Sequence, residues 1–278
     1  MILIADSGST KTEWCLADGQ NSVSVFTQGI NPFFQDDAEI VRILREELLP
    51  KLGEGSGAIH TVAFYGAGLR EEMKPRMRSL LSQTLHAEQV TAESDLLGAA
   101  RALFGRDQGI ACILGTGSNS GLYDGKNIVA NTPPLGFILG DEGSGAYLGK
   151  LFIGALCKGL MPKGMLEDFT LATGQDTATI IDQVYRKPMP NRYLAKTSKY
   201  ILQHIQVKEV EQLVVYGFRQ FFSRNLTQYH RKDLPVRAIG SVAFYYADFL
   251  VKAAGEEGYN LDVIEKNPMR GLIDFHAK

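Results

Sequence analysis

Apolar and polar positions along the first 28 residues alternate in three short runs. ILIAD, TEWCLAD and VSVFTQ are separated by SGS and by DGQNS, both rich in turn-forming residues. This pattern predicts a β-hairpin followed by a third strand. Residues 36–52 change period: Ile40, Ile43, Leu44 and Leu48 recur at helical spacing behind a first turn of acids. AIHTVAFYGAG then reads as a buried strand ending in glycines, 71–86 as a charged amphipathic helix, and QVTAES as a short strand. DLLGAARALFG is a helix with Asp95 at or just before its N-terminus.

From residue 109 the pattern restarts. GIACILGTGSNSGLYDGKNIVA again reads strand, Gly-rich turn, strand, turn, strand, about 108 residues after its first occurrence. Beyond GFILGDEGSGAYLG the periodicity predicts helices near 143–158, 162–171, 176–186, 190–205 and 208–229. A short strand (236–239), a helix (243–254) and a terminal segment (269–277) close the chain. The boundary between halves is expected near 105–109, in the polar FGRDQG. Trp14 is expected in the core, as are Tyr245 and Tyr246 in a late helix.

Composition narrows the classes. At 278 residues, 45% apolar and 22% charged, the chain suits a two-domain globular protein that needs no disulfide or metal staple. Its 29 basic and 31 acidic residues give a net charge of −2, which leaves no basic footprint for nucleic acid or anionic membrane. No apolar run is long enough to span a bilayer, and the N-terminal MILIAD lacks a basic region, so no secretory signal is expected. Cys15, Cys112 and Cys157 are scattered, as in a reducing, cytoplasmic setting.

Four segments carry candidate chemistry. In ADSGSTKTEW an aspartate ends an apolar strand, and Ser7, Gly8, Ser9 and Thr10 turn into the next. Such small residues let backbone N–H groups and hydroxyls approach a phosphate; Lys11 could add charge, and Asp6 could hold Mg²⁺ directly or through water. LGTGSNSG at 114–121 repeats the device. Either turn alone also reads as an ordinary hairpin; two, one opening each half, point to phosphate binding. Neither is a P-loop or a GxGxxG dinucleotide turn. In AIGSVA, Gly240 and Ser241 stand at a strand–helix junction, open to a flat ring or a phosphate or serving as a plain turn. Asp95 and Asp141 each precede or open a helix, where capping and catalysis are both open. Ser94 could take the cap and free Asp95.

Taken in order, DSGSTKTE (6–13), GINPF (29–33), YGAGL (65–69), ESDLLGAA (93–100), LGTGSN (114–119), GDEGSG (140–145) and IGSVA (239–243) resemble the BadF/BadG/BcrA/BcrD-type ATPase family. That family lies within the actin/sugar-kinase/Hsp70 superfamily, and the finer match is to its N-acetylglucosamine kinases. The resemblance implies an α/β, two-lobed actin-like (ribonuclease H-like) fold. Each lobe would be a mixed five-stranded sheet flanked by helices, with a cleft between the lobes. Residues 1–106, joined by the C-terminal helix 269–278, would form one lobe and 107–268 the other. Ser9, Thr10 and Lys11 match the first phosphate loop, Gly115, Thr116, Gly117 and Ser118 the second, and Gly240 and Ser241 the adenosine turn. Asp6 matches the acid near magnesium. Asn31, Gly66, Asn119 and Asp141 match positions around the hexosamine, and Asp95 matches the catalytic base.

The implied reaction is transfer from Mg-ATP to the 6-hydroxyl of N-acetylglucosamine or a related hexosamine. A small-molecule amino sugar is then the expected partner, with a homodimer allowed. Two departures stand out: Ser7 and Ser9 replace glycines, and PPLG (133–136) puts Leu135 where the kinases carry an aromatic. The same fold also serves ATPases that activate a protein partner and nucleotide-dependent switches, which form the alternative reading.

Overall fold

The computed structural model describes residues 1–8, 10–18 and 21–277. The chain divides into two units, Met1–Asp107 with Gly125–Asn127 and Pro268–Lys278, and Gln108–Asp124 with Ile128–Asn267. In the first unit, β1 (Ile2–Ser7), β2 (Lys11–Ala17), β3 (Ser22–Gln28), β4 (Thr61–Gly66) and β5 (Gln89–Ser94) form one sheet in the order β3-β2-β1-β4-β5. β1 pairs antiparallel with β2 and parallel with β4, which pairs parallel with β5. The three parallel strands therefore end together, at Ser7, Gly66 and Ser94.

Period-two alternation in β1 splits its side chains between two cores. Leu3 and Ala5 pack with Trp14, Phe64 and the helical layer of α1 (Asp37–Arg42), a π-helical turn (Ile43–Leu48), α2 (Leu49–Leu52) and α3 (Lys74–Leu85). Ile4 packs on the other face with Cys15, Ala63 and Tyr65. Asp36 caps α1 by accepting from Glu39 N–H at 2.9 Å. Ser94 caps α4 (Asp95–Phe104) by accepting from Leu97 N–H at 3.2 Å.

The second unit repeats the strand order. β6 (Gly109–Leu114), β7 (Ser118–Tyr123), β8 (Ile128–Ala130), β9 (Val236–Ile239) and β10 (Leu261–Glu265) run β10-β9-β6-β7-β8, with β6 antiparallel to β7 and parallel to β9. The helices are α5 (Gly136–Leu139), α6 (Gly145–Cys157), α7 (Met165–Thr173), α8 (Thr177–Tyr185), α9 (Pro190–Lys196), α10 (Ser198–Gln203), α11 (Lys208–Phe221), α12 (Ser241–Tyr245) and α13 (Ala247–Glu256). Finally α14 (Met269–His276) returns to the first unit, where Met269 and Leu272 pack with Ile4 and Tyr65.

Several expectations are corrected. The helix expected over 190–205 is two, broken at Thr197, and that over 243–254 begins at Ser241 and breaks at Tyr246. Tyr246 leaves helical geometry, and its buried hydroxyl donates to the Ser198 carbonyl. The run over 208–229 ends in a π turn (Phe222–Leu226) and a 3₁₀ turn (Thr227–Tyr229). β10 is not predicted by the sequence pattern, because LDVIE puts acids at an edge position where only Leu261 is buried. Tyr245, expected in the core, is 53% exposed.

One buried polar chain joins β4, α4 and α14. Arg101 Nη1 donates to Tyr65 Oη at 3.1 Å, and Tyr65 Oη lies 2.9 Å from His276 Nε2. Burial, and then the Arg101 charge, push His276 from 6.5 down to about 4. Asp18 and His60 line the same cavity as His276. The unfolded chain thus binds a proton on this imidazole that the folded chain refuses, so the stability it contributes is present above pH 6.5 and lost as pH falls toward about 4. Urea melts across that window should show a shallower pH slope for His276→Asn than for the unaltered chain; identical slopes would place the pH response elsewhere.

Candidate functional site

The first hairpin loop is held from below by two buried hydroxyls. Ser7 Oγ and Thr12 Oγ1, both fully buried, lie 2.6 Å apart, and Ser7 Oγ donates to the Ile30 carbonyl at 2.9 Å. Ile30 N–H in turn faces Ser7 Oγ at 3.0 Å and Thr12 Oγ1 at 3.2 Å. The hairpin is thereby tied to the segment that carries Asn31. Thr10 is exposed, and its carbonyl accepts from Gly29 N–H at 3.2 Å. Lys11 is exposed with Nζ 5.0 Å from the Phe26 ring centroid. Ser9 lies outside the described residues.

Asn31 is buried. Its Oδ1 accepts from Phe33 N–H at 3.1 Å, and Nδ2 keeps no partner among the described residues. Gly68, at φ 73°, lies against this carboxamide, where any side chain would strike it. Gly66 ends β4 between Ser7 and Ser94.

Asp95 follows directly on β5. With Ser94 as cap, its Oδ1 accepts from Leu96 N–H at 2.9 Å, and Oδ2 keeps no partner among the described residues. Burial pushes the Asp95 carboxyl above the usual carboxylate range. Asp6 is pushed up to about 7, chiefly by burial and then by the negative charge of Asp95. Asp6, Asn31, Gly66 and Asp95 thus gather at the carboxyl ends of β1, β4 and β5, the edge where parallel α/β sheets bind ligands.

In the second unit the loop Gly115–Ser118 is fastened to α6. Gly145 N–H donates to the Gly115 carbonyl at 2.8 Å and Ala146 N–H to the Thr116 carbonyl at 3.1 Å, while Ser144 Oγ accepts from Tyr147 N–H at 3.0 Å. Two first-turn donors of α6 are therefore spent on the loop and the third on its cap, and the N–H groups of Thr116 and Gly117 have no partner among the described residues. Asp141 Oδ1 accepts from Ser118 N–H at 3.4 Å, and burial pushes the Asp141 carboxyl up to about 6. Asn119 Oδ1 accepts from Ser120 N–H and from Asn131 Nδ2, both at 2.9 Å. Gly240 has φ 126° and lies against the Leu114 backbone, so the β9 turn and the start of the 115–118 loop touch at a spot that admits no Cβ. Ser241 is exposed beside it, and Leu135 is exposed at the start of α5.

Sequence reading passed over two residues. Thr12 shares the inward face of β2 with Trp14, and a polar residue on such a face is a signal of a buried network. Glu142, read only as a companion of Asp141, is buried with Arg224 Nη1 and Asn225 Nδ2 each 3.4 Å away.

Two open five-stranded sheets of one strand order, each led by a small-residue hairpin, define the actin-like fold of ATPases and sugar kinases. Among solved structures, the chain is similar to two proteins each described as a "putative N-acetylglucosamine kinase". That from Porphyromonas gingivalis is 50% identical, with 100% of this chain and 99% of the other covered and a TM-score of 0.97. That from Chromobacterium violaceum is 17% identical, with 99% and 98% covered and a TM-score of 0.76. A ROK family glucokinase from Streptomyces griseus, in complex with glucose and AMPPNP, shares the fold at 14% identity, 99% and 97% coverage and a TM-score of 0.57. The chain belongs to the N-acetylglucosamine kinase-like family of the actin/sugar-kinase/Hsp70 ATPase superfamily. No protein-family model and no curated protein matches it. Among the described residues, no helix is long and apolar enough to cross a membrane.

Removing the Ser7 hydroxyl strands part of a buried network. Ser7→Ala should lower unfolding free energy by about 1–3 kcal/mol in a denaturant melt. A change near zero would mean that Thr12 alone holds Ile30.

Proposed function

We propose that this chain is an ATP-dependent hexosamine kinase acting on the 6-hydroxyl of N-acetylglucosamine. The observation that carries the reading is Asp95: a half-buried carboxylate at the end of β5, with one oxygen fixed by Leu96 N–H and the other left over. Family membership supports it, as does the glucokinase of the same fold with its sugar and nucleotide analogue.

Phosphoryl transfer asks a protein mainly for positioning and for neutralising charge. Asp95 would take the proton of the sugar hydroxyl as the oxygen–phosphorus bond forms, and the bond to the leaving ADP oxygen breaks. Asn31 and Asn119 both have their carboxamide oxygen engaged by backbone N–H groups. That leaves Nδ2 of each to donate to a sugar oxygen; in the first unit Gly66 would line the acceptor beside Asn31, and in the second Asp141 would accept from a sugar hydroxyl. The N–H groups of Thr116 and Gly117 would hold phosphate oxygens, with Ser118 closing that loop and Ser9, Thr10 and Lys11 serving the first loop. Gly240 and Ser241 would face the adenosine.

Asp6 fits a divalent cation. Its carboxylate forms no hydrogen bond or ion pair with a described residue, and burial with the charge of Asp95 disfavours the bare anion. Mg²⁺, when bound, would neutralise phosphate charge.

ADP release with Mg-ATP should rise strongly with N-acetylglucosamine over a no-sugar control and over a panel of other hexoses. Asp95→Asn should lower kcat by about 10²–10⁴-fold, the range for a lost general base, with ATP affinity unchanged. Hydrolysis that ignores sugar, or full turnover in Asp95→Asn, would overturn the reading.

A further inference from the structure

Tyr245, expected in the core, stands at the surface instead, with Phe244 next to it and Ser241 on the same short helix. On α12, Val242 and Ala243 are buried, whereas Ser241, Phe244 and Tyr245 are exposed. Their i, i+3, i+4 spacing puts all three on one face. The Phe244 and Tyr245 centroids are 5.5 Å apart with planes at 84°. Lys266, on the segment after β10, completes the group: Nζ donates to Tyr245 Oη at 2.7 Å and lies 4.9 Å from the Tyr245 centroid and 5.9 Å from that of Phe244. Lys266 has no acidic partner among the described residues. Phe244 N–H donates to the Gly240 carbonyl at 2.9 Å, so the rings and the glycine turn are one local structure.

Exposed rings beside a cation that has no acidic partner among the described residues offer a π-face and a positive charge to a flat anionic ligand. Three side chains are too small a patch for a protein interface, which needs 20–30 residues a side. They match the size of one nucleoside. We infer that Phe244, Tyr245 and Lys266 form the shelf for the base and ribose of the phosphoryl donor and set its nucleotide preference. This inference rests on the nucleotide reading of Gly240 and Ser241. A ring face reads the π-surface of a base and not its hydrogen-bonding edge, so the shelf favours purines over pyrimidines while discriminating little between adenine and guanine. Lys266 adds attraction for the polyanion and keeps Tyr245 in place through its hydroxyl.

Calorimetric titration of the intact chain with Mg-ATP, without sugar, isolates this step from catalysis. Tyr245→Ala should weaken binding about tenfold or more, the range for loss of a stacking platform, and Tyr245→Phe should restore most of it. Lys266→Met should weaken it about threefold, the scale of one exposed charge interaction. Tyr185→Ala, an exposed ring elsewhere, should leave it unchanged. Mg-GTP should bind within about fivefold of Mg-ATP, and Mg-CTP about tenfold more weakly.

Binding by Tyr245→Ala within about twofold of the unaltered chain would overturn the shelf, as would CTP binding as tightly as ATP. If the titrations follow expectation but no sugar is phosphorylated, the kinase reading fails and the shelf stands. If sugar is phosphorylated while Tyr245→Ala binds ATP normally, the shelf fails and the kinase reading stands.

Discussion

The hydrogen bonds from Gly145 and Ala146 to the carbonyls of Gly115 and Thr116 govern how the second unit can bind anything. A helix N-terminus offers orphan N–H donors, and an anion is their usual partner. Here the hairpin loop takes them first. Phosphate oxygens would then be met by the loop's own free N–H groups, at Thr116 and Gly117, with the helix serving as a brace and its dipole acting from behind. Asp141 belongs to the same assembly, because its carboxylate accepts from Ser118 N–H and its carbonyl from Ser144 N–H. Sugar-side and phosphate-side candidates in this unit are therefore parts of one rigid turn.

The first unit solves the equivalent problem with side chains. Among the described residues no helix N-terminus bonds to its hairpin loop, and the brace is the pair of buried hydroxyls on Ser7 and Thr12, which hold the backbone at Ile30. Burying two hydroxyls is tolerable because each has partners; a half-satisfied pair would be worse than an apolar one. The consequence reaches Asn31, the next residue along, whose carboxamide is pinned between Phe33 N–H and Gly68. The Ser7 side chain is turned inward, fully buried, and its oxygen is structural.

Much of this was legible in the sequence because it was written in short-range signals. Strand period, turn residues and the acids that open α1 are local features, and the echo between residues 1–28 and 109–130 marked a strand–turn–strand–strand unit that recurs in sheets of one order. What escaped depends on distant partners. β10 is a strand only because β9 lies beside it, and its acids disguise it. Helix breaks at Thr197 and Tyr246 answer to packing, since Tyr246 is drawn into the core and bonds to Ser198. The exposure of Tyr245 next to a buried Tyr246 follows from the same break. Asp95 was placed at a helix start by sequence, but which residue caps and which is left over needed the Ser94 and Leu96 geometry.

The edge of the first sheet ties strand protection and a candidate site residue to the same segments. β3 is an outer strand with Val23 and Phe26 exposed, and such edges invite pairing with other chains. Two side chains from the neighbouring helical layer occupy its outward backbone groups: Glu47 accepts from Gln28 N–H at 2.8 Å, and Lys51 Nζ donates to the Phe26 carbonyl at 2.5 Å. Glu47 is also paired with Arg42, which reaches Glu39 and the Gln28 side chain. The widened π-helical turn at Ile43–Leu48 is what carries Glu47 to this edge while Ile43, Leu44 and Leu48 stay in the core. Gln28 is the last residue of β3 and leads directly into Gly29, Ile30 and Asn31. The same capping that closes the edge to intruding strands therefore also fixes the point from which the Asn31 segment departs.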